Sequence, residues 1–166
     1  LGSTAEATGG ALHVSHGSAV ELLRSILKSQ SAGYEECGDR SYGGAMLVSD
    51  SNVLVVDSTI VNSSSACPSH RGGLMATCLG ANLMLSTSLL SNSRANKGGL
   101  AMLEDSGSLT VVDCTISGSF SEVTGGCFFV IDANEMNVML MRCAIANSSS
   151  TGKWGGVVAM LRSSLA

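Results

Sequence analysis

The chain has 166 residues, 20 of them Gly and one Pro, with 13% charged and 4% aromatic residues and a net charge of −4. Charged residues make up roughly 25% of an ordinary domain; this low-charge, acidic chain has no Lys/Arg cluster to neutralise phosphates, which argues against a nucleic-acid partner. No apolar run approaches the roughly 18–20 residues of a membrane span, the best being the five of Cys127–Ile131.

The first residues, Leu1-Gly2-Ser3-Thr4, lack an initiator Met and a signal peptide and read as a trimmed end. From there a Gly-Gly pair recurs at 9–10, 43–44, 72–73, 98–99, 125–126 and 155–156, with spacings of 34, 29, 26, 27 and 30 residues. Such a period is the signature of stacked structural repeats. Each pair precedes an apolar run: Ala11–Val14, Ala45–Val48, Leu74–Thr77, Leu100–Leu103, Cys127–Val130 and Val157–Met160. The pairs suit a tight turn, either where a Cβ would clash or where φ must be positive.

A second segment aligns without gaps from Val20, Val53, Leu83, Leu109 and Val138. Two residues on, the matching column is Leu22, Val55, Leu85, Val111 and Leu140. A third column is Leu27, Ile60, Leu90, Ile116 and Ile145. Apolar residues two apart have the strand period. Ala19, Leu22, Leu23, Ile26 and Leu27 also fit helical spacing, so an amphipathic helix over 19–32 is the rival for that segment.

The expected architecture is all-β: a right-handed parallel β-helix of about five and a half coils of 26–34 residues, three strands to a coil. Residues 1–166 form one domain, with coils starting near 9, 43, 72, 98, 125 and 155. Residues 1–8 read as the tail of an earlier coil and Val157–Ala166 as the start of another, so the chain is expected to be a piece of a longer repeat protein.

Several polar columns are candidates for chemistry. Asn62, Asn92 and Asn147 share a column with Ser29 and Gly118 and predict a buried amide ladder between coils; Asn62-Ser63-Ser64 and Asn147-Ser148-Ser149 equally match the N-glycosylation pattern. Among six Cys no C-x-x-C occurs. Cys114 and Cys143 stack with Ser25, Ser58 and Ser88 as small inward residues, Cys37 and Cys67 precede Gly-Gly pairs in adjacent coils and are candidates for a disulfide, and Cys78 and Cys127 are expected free. Asp57 and Asp113 fall in an outward column with Arg24, Thr87 and Arg142, which predicts an exposed Asp113–Arg142 ion pair rather than a catalytic pair. His13, His16 and His70 lack a recognisable third ligand or nucleophile, so no catalytic residue, cofactor or metal is expected.

Alternation also predicts an apolar outside. With Leu12, Met46, Met75, Ala101, Phe128 and Val158 facing inward, His13, Leu47, Ala76, Met102, Phe129 and Ala159 face out. The second strand adds Glu21, Leu54, Met84, Thr110 and Met139. Leu47, Met102, Phe129, Leu54, Met84 and Met139 therefore form a candidate interaction stripe, larger than a monomer ordinarily exposes.

Gly43-Gly44-Ala45-Met46 with Ile60-Val61-Asn62, and the weaker Leu90-Ser91-Asn92 and Ile145-Ala146-Asn147, resemble the repeats of chlamydial polymorphic outer-membrane proteins and, more widely, the pectin-lyase-like β-helix superfamily. The departures are Ile or Leu for the family's Phe, and Asn one residue early. The resemblance implies a coil, and a cell-surface adhesin role by extension.

Three functions follow as expectations. The first is a non-catalytic structural, adhesive or interaction segment of a larger secreted or cell-surface repeat protein, with protein partners at apolar faces or open coil ends and carbohydrate as a further partner. The second is a scaffold subunit docked by its outer faces in a membrane or organellar complex, as a peripheral subunit. The third is a carbohydrate-active enzyme, for which fold analogy is the only warrant.

Overall fold

The computed structural model describes residues 3–5, 10–32, 43–65, 72–104, 108–131, 137–152 and 154–161. They contain strands and turns and no helix, so 19–32 is strand and the helical alternative falls.

Four parallel sheets run the length of the molecule. The first follows the Gly pairs: Leu12–Val14, Met46–Ser49, Met75–Cys78, Ala101–Glu104, Phe128–Ile131 and Val158–Leu161. The second holds Ala19–Leu23, Asn52–Val56, Asn82–Ser86, Ser108–Val112 and Asn137–Met141. The third holds Ile26–Lys28, Thr59–Val61, Leu89–Ser91, Thr115–Ser117 and Ala144–Ala146. The fourth holds Ser3–Ala5, Gln30–Ala32, Ser64–Ser65, Arg94–Lys97, Phe120–Thr124 and Ser149–Ser150. Every pairing is parallel, between a strand and its counterpart one repeat away. This is a parallel β-solenoid. Five stacked strands in the second and third sheets span about four turns; after the sixth Gly pair the described strand is Val158–Leu161.

The apolar columns pair as their spacing requires. Val53 lies beside Leu83 and Leu83 beside Leu109; Ile60 lies beside Leu90 and Leu90 beside Ile116. Val55, Ile60, Leu85, Leu90, Val111 and Ile116 are almost wholly buried in one continuous core. Full burial stabilises by roughly 1.5–3 kcal/mol per large aliphatic side chain. In the end coils the same columns are only partly covered, at Val20, Leu22 and Leu27 on one side and Val138 and Ile145 on the other.

Each coil has four strands, one more than the apolar spacing predicts. Apart from the buried Gln30, the inward residues of the fourth strand are small: Ala32 beside Ser65, and Ala95 beside Ser121, all buried. The two glycines of a pair do different things. At Gly72, φ is +69° and an added Cβ would lie 1.8 Å from the Met75 carbonyl oxygen, so the first glycine makes a left-handed corner. At Gly73 a Cβ would lie 2.6 Å from the Arg94 backbone nitrogen and 2.1 Å from the Gly99 carbonyl oxygen. The second glycine thus lets the fourth strand of its own coil press onto the chain entering the first sheet.

Candidate functional site

The corners on either side of the third sheet turn on single left-handed residues, and these set which polar side chains reach the surface. Between the second and third sheets they are Arg24, Asp57, Thr87, Asp113 and Arg142; between the third and fourth, Ser29, Asn62, Asn92, Gly118 and Asn147. Asn, Asp and Gly tolerate this conformation best, which accounts for much of the composition of both columns. Arg142 grips Asp113 through two bonds, Nε to Oδ1 at 2.6 Å and a second guanidinium nitrogen to Oδ2 at 2.7 Å. This holds the Asp113 carboxyl below its usual range. Asp57 accepts from the Thr87 hydroxyl. The two carboxylates stand two rungs apart, each engaged by its own neighbour, with no carboxylate pair between them.

The amide column behaves differently from the buried ladder its spacing predicts. Asn92 Nδ2 donates to Asn62 Oδ1 at 3.2 Å, but Asn62, Asn92 and Asn147 are all exposed, and Gly118 separates Asn92 from Asn147. The left-handed corner turns these side chains outward. Burial therefore does not shield the sequon residues Asn62 and Asn147.

The inward ladder at the neighbouring corner is made of hydroxyls and thiols. Ser25 N–H donates to Ser58 Oγ at 3.0 Å and Ser58 N–H to Ser88 Oγ at 3.1 Å. Ser58, Ser88 and Cys114 are buried, and the Cys114 thiol donates to the Val112 carbonyl at 3.2 Å. Burial pushes the Cys114 and Cys127 thiols up from their ordinary pKa. Cys78, Cys114, Cys127 and Cys143 are not joined in disulfides; Cys37, Cys67 and His70 lie outside the described residues. His13 and His16 are exposed. Among the described residues no group of three or more His, Cys, Asp or Glu converges.

The candidate interaction stripe divides in two. Leu47, Met102 and Phe129, expected outside, are buried. The far side of the first sheet carries its own small core of Met102, Phe129 and Ala159, with Ile131 packed against it and the Lys97 ammonium 5.7 Å above the Phe129 ring. Alternation predicts which side of the sheet a residue takes, but not that the chain covers that side too. On the second sheet the stripe is open: Met84 is 43% exposed, Met139 is 49% exposed and Leu54 is half-buried.

Beside that open half lies a feature absent from the sequence reading. Ser108 Oγ donates to Asn82 Oδ1 at 2.6 Å and Asn82 Nδ2 donates to Asn52 Oδ1 at 3.0 Å, an outward ladder along the rim of the second sheet. Ala19, Glu21, Asn52, Leu54, Asn82 and Met84 line a shallow hollow of about 470 Å³ here. The signal was available: Ala19, Asn52, Asn82 and Ser108 precede the Val/Leu column by one residue in successive repeats. A third cluster sits on the fourth sheet, where a bulge shifts the register between Phe120–Thr124 and Arg94–Lys97. There Arg94 bonds Glu122 at 2.8 Å and lies 5.1 Å from the Phe120 ring centre.

Together these features define a parallel β-solenoid whose interior is filled by apolar columns and hydroxyl ladders, and whose outside carries an open apolar face beside an amide ladder. No family model matches the chain, and neither a curated protein nor a solved structure is significantly similar to it. The resemblance to polymorphic outer-membrane-protein repeats is carried by the short coil motifs alone.

Proposed function

We propose that this chain is a non-catalytic structural and adhesive segment of a larger secreted or cell-surface repeat protein, working through its surfaces rather than through a reaction centre. The observation that carries this reading is the open outer face of the second sheet, where Leu54, Met84 and Met139 stand beside the Asn52–Asn82–Ser108 ladder. Asp57 and Asp113, the acids that an enzyme on this fold would call upon, are each committed to a neighbouring side chain. The coil motifs resembling polymorphic outer-membrane-protein and pectin-lyase-like repeats support the same placement.

The test is binding of the purified chain to intact cells and to glycan and protein arrays, alongside turnover assays on neutral and acidic polysaccharides. Binding without turnover supports the reading, and turnover lost in Asp57→Ala or Asp113→Ala overturns it.

A scaffold subunit docked within a membrane or organellar complex is the second reading. It is favoured by the exposed Leu23 and Ile26, at 51% and 61%, which flank the Arg24 corner of the first coil. Co-purification with stoichiometric partners, resistant to salt and broken by detergent, would give it the lead.

A further inference from the structure

We propose that the hollow on the first rungs of the second sheet is a binding subsite for a neutral glycan chain, held by Asn52 and Glu21 over Leu54 and Met84. This rests on the adhesive reading and names its ligand class. The outward ladder has a direction: the Ser108 hydroxyl donates to Asn82 and the Asn82 amide donates to Asn52. The next rung, paired with Asn52, is Ala19, whose methyl group continues nothing. The ladder therefore stops with the Asn52 Nδ2 donors unpartnered among the described residues, beside the space that Ala19 leaves open.

Glu21 stands two residues from Ala19 on the same face, roughly 7 Å along the strand, and makes no ion pair or hydrogen bond with a described residue. The hollow thus offers amide donors and an acceptor-only carboxylate on neighbouring strands, with Leu54 and the exposed Met84 beside them. Neighbouring hydroxyls of a pyranose accept and donate at once, and its C–H face suits the aliphatic side chains. The charge selects within this class. Glu21 pairs with no cation among the described residues and the chain carries −4, so a uronate or sulfated glycan would bring like charge to like charge. The shallow form fits a chain lying across the rungs rather than an enclosed small molecule.

Ala19→Asn tests this directly, since it extends the ladder into the hollow from an exposed position and leaves the core columns untouched. Binding is measured by calorimetry and saturation-transfer NMR, with β-1,4-linked hexasaccharides of glucose, mannose and galactose as neutral probes and hexagalacturonate as the acidic one. Circular dichroism confirms the fold of each variant. At least one neutral probe is expected to bind, weakened about tenfold or more by Ala19→Asn and by Glu21→Ala, and unchanged by Leu89→Ser on the third sheet. Binding of hexagalacturonate alone, no binding of any neutral probe, or equal binding by Ala19→Asn overturns the subsite. Capture of an extended apolar peptide, lost in the same two variants, overturns the ligand class. Cell or array binding that survives Ala19→Asn removes the subsite and leaves the adhesive reading standing. Neutral glycan bound here and then cleaved removes the non-catalytic reading and leaves the subsite.

Discussion

Replacing Gly99 and Gly156 by alanine puts the same methyl group at equivalent places in two Gly pairs, with opposite expected results. An added Cβ at Gly99 would lie 2.3 Å from the Gly126 carbonyl oxygen and 2.6 Å from the Phe120 carbonyl carbon and oxygen. Ordinary contact begins at 3.4 Å, so the shortfall is close to an ångström on two sides, and every opposing atom is backbone. Overpacking a filled interior costs about 1–3 kcal/mol. With no flexible side chain to give way, Gly99→Ala belongs at about 3 kcal/mol or more. In a chain of this size that lowers Tm by roughly 6–12 °C. Gly156 has no atom within 4 Å of its Cβ position and no positive φ, so Gly156→Ala should gain about 0.4–1 kcal/mol by restricting the unfolded chain. Urea and thermal unfolding of the two variants beside the parent reads the contrast. Equal stability of Gly99→Ala and Gly156→Ala would refute the claim that the fourth strand rests on the second glycine.

Three further outcomes follow from the same geometry. Ile116→Ala, in a wholly buried column position, should cost about 2–5 kcal/mol, and Ile145→Ala in the half-open last coil clearly less, by equilibrium unfolding. The Asp113–Arg142 pair lowers the folded carboxyl pKa below its usual 3.8, so its stabilisation is present above that pH and is lost as pH falls through the lowered value. Asp113→Asn should therefore lower Tm slightly at neutral pH in dilute buffer, and not at strongly acidic pH or in about 1 M salt, by melting curves across both ranges. At Gly118, φ is +64° and an added Cβ would lie 2.6 Å from the movable Asn92 Oδ1 and in ordinary contact, at 3.6 and 3.7 Å, with the Asn92 backbone. Gly118→Asn should accordingly leave stability within about 0.5 kcal/mol while joining Asn62, Asn92 and Asn147 in one ladder, and Gly118→Val should lose about 1–2 kcal/mol.

The solenoid was legible because its core columns are large and alternate with period two: Val53 over Leu83 over Leu109 can be read from spacing alone. The fourth strand was not, since its inward residues Ala32, Ser65, Ala95 and Ser121 carry no hydrophobic signal. Its place against the second glycines is a relation that runs across the coil and not along the sequence. The stripe was half legible for a related reason. Leu54, Met84 and Met139 are on the predicted outer face, but Leu47, Met102 and Phe129 are covered, because alternation specifies a side and not whether that side meets water. The amide pair Asn92–Asn62 was placed in the right column and on the wrong side of the wall, since the left-handed corner decides where the side chain points. The Asn52–Asn82–Ser108 ladder went unread although its column was in plain register, its chemistry being split between Asn and Ser.

Methyl-labelled NOE spectroscopy of the purified chain tests the stacking most directly. The account predicts methyl contacts from Leu27 to Ile60, Ile60 to Leu90, Leu90 to Ile116 and Ile116 to Ile145, and none that skip a rung, such as Ile60 to Ile116. Contacts that skip rungs, or that join Ile60 to residues near it in sequence in place of Leu90, would contradict it.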